Sequence, residues 1–177
     1  MFDPTIFDNL KVVFEGSIYD LDREGEVLVI DRKDQIDLAS FERMFLMRIH
    51  RPGGNCRVEV RITSGLADFA GELGGIRIAD EAPGVRLQFM FQLPDKQSTH
   101  FHTFHERLTT IWSDSVYIKH ERTIGLETDE SAAQFDEGIY RILLTFRTKI
   151  DESHIDDIES LLEHLLESMD SLESDVL

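Results

Sequence analysis

The hydrophobic positions of this chain fall into two rhythms, and each marks its own part of the sequence. Val85, Leu87, Phe89, Phe91 and Leu93 alternate with Arg86, Gln88, Met90 and Gln92, the period of a strand with one buried face. Phe45–His50 and Arg57–Ile62 flank the turn sequence Arg51-Pro52-Gly53-Gly54-Asn55-Cys56. A hairpin centred on Gly53 and Gly54 pairs Phe45 with Ile62, Met47 with Val60 and Ile49 with Val58 on one face. It leaves Leu46–Arg61, Arg48–Glu59 and His50–Arg57 on the other. Val116–Arg122 and Ile139–Arg147 also alternate. The segment Lys11–Asp31 reads as a further hairpin. Val12, Phe14 and Ile18 share a parity, Val27–Ile30 is a compact apolar run, and Gly25 supplies the left-handed residue of a short loop that pairs Leu21 with Val27.

The second rhythm steps by three and four. Ile155, Ile158, Leu162, Leu165, Met169, Leu172 and Val176 form a stripe that predicts a helix over about 152–172, capped by Asp151 or Ser153. Phe101, Phe104, Leu108, Ile111 and Trp112 predict another over about 98–114. A short helix is expected at Leu66–Leu73. The acidic stretch Thr123–Gly138 is a long connection, with either a helical turn near Ser131–Phe135 or no regular structure. The predicted order is ββββ(α)βαββα. That is an α+β fold, a mostly antiparallel sheet with two main amphipathic helices, 98–114 and 152–172, packed on one face. The 177 residues suit one domain spanning 1–177, with a possible subdivision near the Gly- and Pro-bearing segment 76–84.

Composition adds charge to this picture. Hydrophobic residues are 41% of the chain and twelve are Phe, enough for a core, while the net charge is −17. Residues 123–177 hold 15 acids against Arg141, Arg147 and Lys149. So negative a chain repels nucleic-acid phosphate and anionic membrane, and it suits a basic protein partner. With Cys56 alone there is no internal disulfide, and neither a signal-peptide pattern nor an apolar run of membrane-spanning length occurs, so the cytoplasm is the expected compartment.

Candidate chemistry is sparse. His100-Phe101-His102-Thr103-Phe104-His105-Glu106 is a histidine-rich tract in which His102, His105 and Glu106 share a helix face. Zinc takes about four ligands, and His100 lies on the other flank. The phenylalanines explain the tract better: they continue a buried stripe and leave the histidines at its border and in solvent. Asp20-Leu21-Asp22-Arg23-Glu24-Gly25 resembles the start of an EF-hand calcium loop, with Asp20, Asp22 and Glu24 at its first ligand positions and Gly25 at its turn. Asp31 stands where that family has a bidentate Glu, and the flanks alternate like strands. The alternative reading is an acidic turn. Cys56 lies beside Arg57, which can lower a thiol pKa, but a strand-end thiol of no consequence is the favoured reading. No GxSxG and no phosphate-binding loop occur, and no catalytic residue or cofactor is assigned.

The arginine-bearing hairpin is the one basic region, Arg43, Arg48, Arg51, Arg57 and Arg61 facing a single acid, Glu59, between residues 43 and 61. Against it stands the acidic helix with Glu159, Glu163 and Glu167. A parallel coiled coil of that helix would have Glu159, Leu161, Leu166, Ser168, Glu173 and Asp175 at its flanking positions, none of them basic, so it would repel its own copy. The wide stripe fits a sheet better. The leading expectation is an acidic protein acting by protein–protein contact, without enzymatic activity and self-associating, through Arg48, Arg57 and Arg61 and through Glu159, Glu163 and Glu167. The alternative is a metal- or small-ligand-binding domain built on the histidine-rich helix; a third is an acidic mimic of nucleic acid. No nucleic acid and no membrane are expected as partners.

Overall fold

The computed structural model describes residues 4–125 and 138–174. The connection near 131–135 and residues Asp175 and Val176 lie outside the described residues.

The chain opens with a helix where a hairpin was expected. Helix α1 spans Thr5–Arg23 and buries Phe7, Leu10, Phe14 and Ile18. Their spacing of three, four and four is helical. Reading only Val12, Phe14 and Ile18 gives a false period of two, because Val12 is exposed. Gly25 does adopt a positive φ, 78°, but it ends this helix rather than turning a hairpin. The Glu26 N–H donates to the Leu21 carbonyl and the Gly25 N–H to that of Asp22, the paired bonds of a Schellman cap.

Six strands follow, interleaved with three more helices: β1 Leu28–Asp37, β2 Glu42–His50, β3 Arg57–Ser64, α2 Leu66–Gly74, β4 Arg86–Pro94, α3 Phe101–Trp112, β5 Val116–Thr123, β6 Ile139–Phe146 and α4 Ile158–Glu173. The sheet order is β1-β2-β3-β4-β6-β5, every pairing antiparallel. The β2–β3 register is the one the hydrophobic pairs predict, Phe45–Ile62, Met47–Val60 and Ile49–Val58.

One face of the sheet carries the core. Met47, Val60, Phe89 and Leu144 meet across β2, β3, β4 and β6, and helices α1, α3 and α4 close over that face. The fold is α+β as expected, with α1 added to the two expected helices. Phe89 sits at the centre, its ring 5.3 Å from Phe146 and 5.6 Å from Trp112. The Trp112 indole N–H donates to Ser168 Oγ at 2.9 Å, which places a buried hydroxyl within the apolar stripe of α4 at no cost. No described helix is long and apolar enough to cross a membrane.

Candidate functional site

Pleating sends every second strand residue to the side without α1, α3 or α4. Three rows cross that bare face: Leu46–Arg61–Gln88–Thr145–Tyr117, Arg48–Glu59–Met90–Leu143–Lys119 and His50–Arg57–Gln92–Arg141–Glu121. Over the six strands this side presents seven cations, Lys33, Arg48, Arg57, Arg61, Arg86, Lys119 and Arg141, against five acids. The chain as a whole is at −17, so the net negative charge lies elsewhere.

The arginines order this face. Glu59 is 3% exposed although it faces away from α1, α3 and α4. Arg48 reaches its Oε2 at 3.0 Å and Arg61 its Oε1 at 2.9 Å, so the two guanidinium stems roof the carboxylate. Asp31 extends the chain, 3.4 Å from Arg48. Arg57 is exposed in the third row, at the start of β3. Arg147 lies 3.7 Å over the exposed ring of Tyr117, a cation–π contact at the β5 side.

The helix side is the opposite in sign. Glu159, Glu163 and Glu167 are exposed on α4. Asp20 of α1 and Glu24 at its C-terminal cap join Glu159 and Glu163 around a groove of about 410 Å³, lined also by Leu21, Leu162 and Leu166. The two halves of the expected interaction surface therefore stand on opposite sides of one molecule. Arg51 is the exception. It forks onto Asp170 at 2.9 and 2.7 Å and reaches Glu26 at 2.7 Å, pinning α4 to the β2–β3 turn. Glu173 accepts from the Cys56 N–H at 2.7 Å, and Arg107 donates to the Ser171 carbonyl at 2.7 Å. These cations hold the acidic end of the helix against the unfavourable dipole.

The histidine tract has a partner that sequence spacing did not reveal. His105 Nδ1 is 3.1 Å from His120 Nε2 on β5, and His120 Nδ1 is 2.6 Å from the Tyr140 hydroxyl on β6. Burial, with His105 and His102 adding to it, pushes the His120 pKa down to about 4. Burial pushes the Tyr140 hydroxyl up to about 12. The strand alternation that places His120 on the core side was the available signal. Glu106 is exposed, and among the described residues no three His, Cys, Asp or Glu side chains are grouped to hold a metal ion.

The calcium-like residues are dispersed over a helix end. Asp20 pairs with Arg23 at 2.6 Å, Asp22 accepts from the Val29 N–H at 3.2 Å, Glu24 caps α1, and Asp31 faces Arg48 and Lys33. Burial and Glu173 push the Cys56 thiol above its ordinary range, the reverse of the lowering that Arg57 suggested. Comparison with known proteins finds no family model, no curated protein and no solved structure that matches the chain.

Proposed function

We propose that this chain acts through protein–protein contact and self-associates, the arginine-bearing bare face of one copy receiving the acidic α4 surface of the next. The observation that supports it is the opposition of the two surfaces. Arg48, Arg57 and Arg61 lie on one side of a two-layer molecule and Glu159, Glu163 and Glu167 on the other. A contact between unlike surfaces is heterologous, so it propagates into a ring or an open chain. Its attraction is long-ranged at low ionic strength and falls steeply with salt.

Sedimentation velocity tests this. Association is expected in about 20 mM salt and dissociation in about 500 mM. Arg57→Glu with Arg141→Glu abolishes it, and so does Glu159→Arg with Glu163→Arg. Mixing the two variants restores association, because each now carries the complement of the other. A monomer at low salt, or no rescue on mixing, overturns the proposal.

The His105–His120 contact favours a second reading, a transition-metal or small-ligand site. Two nitrogens on one tetrahedral zinc stand about 3.4 Å apart, close to the 3.1 Å seen here. Zinc raising the melting temperature, with the effect lost in His105→Ala, supports it; no shift with zinc or nickel removes it.

A further inference from the structure

Among the described residues, exposed apolar side chains gather along one sheet edge. Among the described residues thirteen large apolar side chains are exposed, and seven belong to α1, β1 or the turn after β1: Val12, Tyr19, Leu28, Ile30, Ile36, Leu38 and Phe41. A patch of this kind on an otherwise charged chain marks a contact. Strand β1 is ten residues long and outermost on that side, and among the described residues it pairs with β2 alone. Its other edge presents backbone donors and acceptors ready for a further strand.

The charges along β1 specify what that strand is. Arg32 and Asp34 point to the helix side, opposite Met47 and Phe45, while Asp31 and Lys33 point to the bare side. An antiparallel copy of β1 related by a two-fold axis through Lys33 sets Arg32 against Asp34 on both sides of the axis, and Asp31 against Gln35. Directly opposed residues in an antiparallel pair share a face, so this register keeps both helix layers on one side of a continuous sheet. It also carries Ile36 to the level of the second copy's Ile30, and Leu38 to that of its Leu28. The like-charged pair it creates, Lys33 with Lys33, lies on the bare face where Asp31 is 3.5 Å away to screen it.

The bulge between Val29 and Asp31 limits regular pairing to a short stretch around the axis. A stable dimer buries about 1,200–2,000 Å², more than a few backbone bonds provide, and α1 supplies the remainder. Lys11 and Glu15 ion-pair with Asp34 and Arg32, so this flank of the helix overhangs β1. Val12 and Tyr19 stand on the outer part of that flank with Gly16 between them, open to a second α1.

We infer that β1 is the seam of a two-fold dimer of this chain, a twelve-stranded sheet held by strand pairing and by apolar contact between the α1 helices. The inference does not depend on the charge-driven contact between opposite faces, and the dimer would double the bare face available to it. Multi-angle light scattering in about 500 mM salt, where exposed charge attraction is screened, should give a dimer. Ile36→Lys with Leu38→Lys, at exposed positions, should weaken it at least tenfold while leaving the melting temperature of the dilute protein unchanged. Amide exchange at residues 31–35 should slow as concentration rises. A high-salt monomer at the highest concentration reached, or a dimer indifferent to the variant with no protection at 31–35, overturns the inference. The low-salt behaviour of the Arg57/Arg141 variant reports separately on the charge-driven contact.

Discussion

The two faces of the sheet are made by the same strands and are built on different physics. In β3, Val58, Val60 and Ile62 close against the helices while Arg57, Glu59 and Arg61 face away. The helix side is buried, and its order comes from packed rings and side-chain volume. The bare side is ordered by guanidinium–carboxylate pairing, which shields Glu59 on the side away from α1, α3 and α4. The contrast teaches that the whole-chain charge of −17 does not describe the arginine-bearing side, where cations outnumber acids along the strands. An approaching partner meets a repulsive helix layer or an arginine-bearing sheet, according to direction.

The sharpest way to break this comparison is to truncate neighbours on one strand. Phe89 is fully buried in a cluster with Trp112 and Phe146, and Met90, the next residue, is half-buried on the bare side. Phe89→Ala should cost about 3–5 kcal/mol and Met90→Ala less than about 1 kcal/mol, read as urea midpoints at constant slope. Equal losses would mean that the bare side is packed as tightly as the core. Glu59→Gln comes next. It removes the carboxylate between two guanidinium groups, each about one-third exposed and so partly compensated by water. A loss of about 1–3 kcal/mol is expected. The same change raises the positive charge of this face, so low-salt association should strengthen while stability falls. The opposite signs separate the structural role of Glu59 from the interaction role of its neighbours.

These two faces were unequally legible. The β2–β3 pairing followed from residues 45–62 because one register sorts every apolar residue to one side, leaving no competing arrangement. Residues 5–23 allowed two periods. Val12, Phe14 and Ile18 fit a strand, and Phe7, Leu10, Phe14 and Ile18 fit a helix. The wrong choice hid a third helix on the core face. Gly25 announced a left-handed residue in either case, and local chemistry alone does not distinguish a helix cap from a hairpin loop. Arg48 opposite Glu59 was readable from register. The His105–His120 contact and the Arg51–Asp170 clamp were not, because each joins elements whose mutual placement is decided by packing rather than by spacing.

Acid offers a third comparison, since His120 lies where α3 meets β5 and β6 at the rim of the helix layer. The charged and titratable groups facing it are His102 and His105 from α3 and the Tyr140 hydroxyl from β6. Its pKa is about 4 in the fold against an ordinary 6.5, so between those values the unfolded chain binds the extra proton. Stability therefore rises with pH across that window, and the contribution is lost as pH falls from 6.5 towards 4. His120→Gln should flatten this part of the stability–pH profile. Two-dimensional NMR should find the His120 ring neutral at pH 5.5. A midpoint near 6.5 for that ring would show that the His105–His120–Tyr140 contact does not exclude water.

The smallest expected effect on stability is the most informative about the bare face. The Arg57 side chain is exposed, and among the described residues no hydrogen bond or ion pair engages that side chain. Arg57→Ala should shift stability by no more than about 0.5 kcal/mol. Arg48 and Arg61, which stabilise Glu59, cannot be changed so cleanly. If the bare face is a docking surface, the same substitution should weaken low-salt association several-fold while the high-salt dimer is unaffected, because Arg57 lies two strands away from β1. A cation that the fold does not need, but that assembly does, would mark this side as interaction surface rather than solvated sheet. Unchanged assembly would leave the arginines with the structural role that Glu59 already gives two of them.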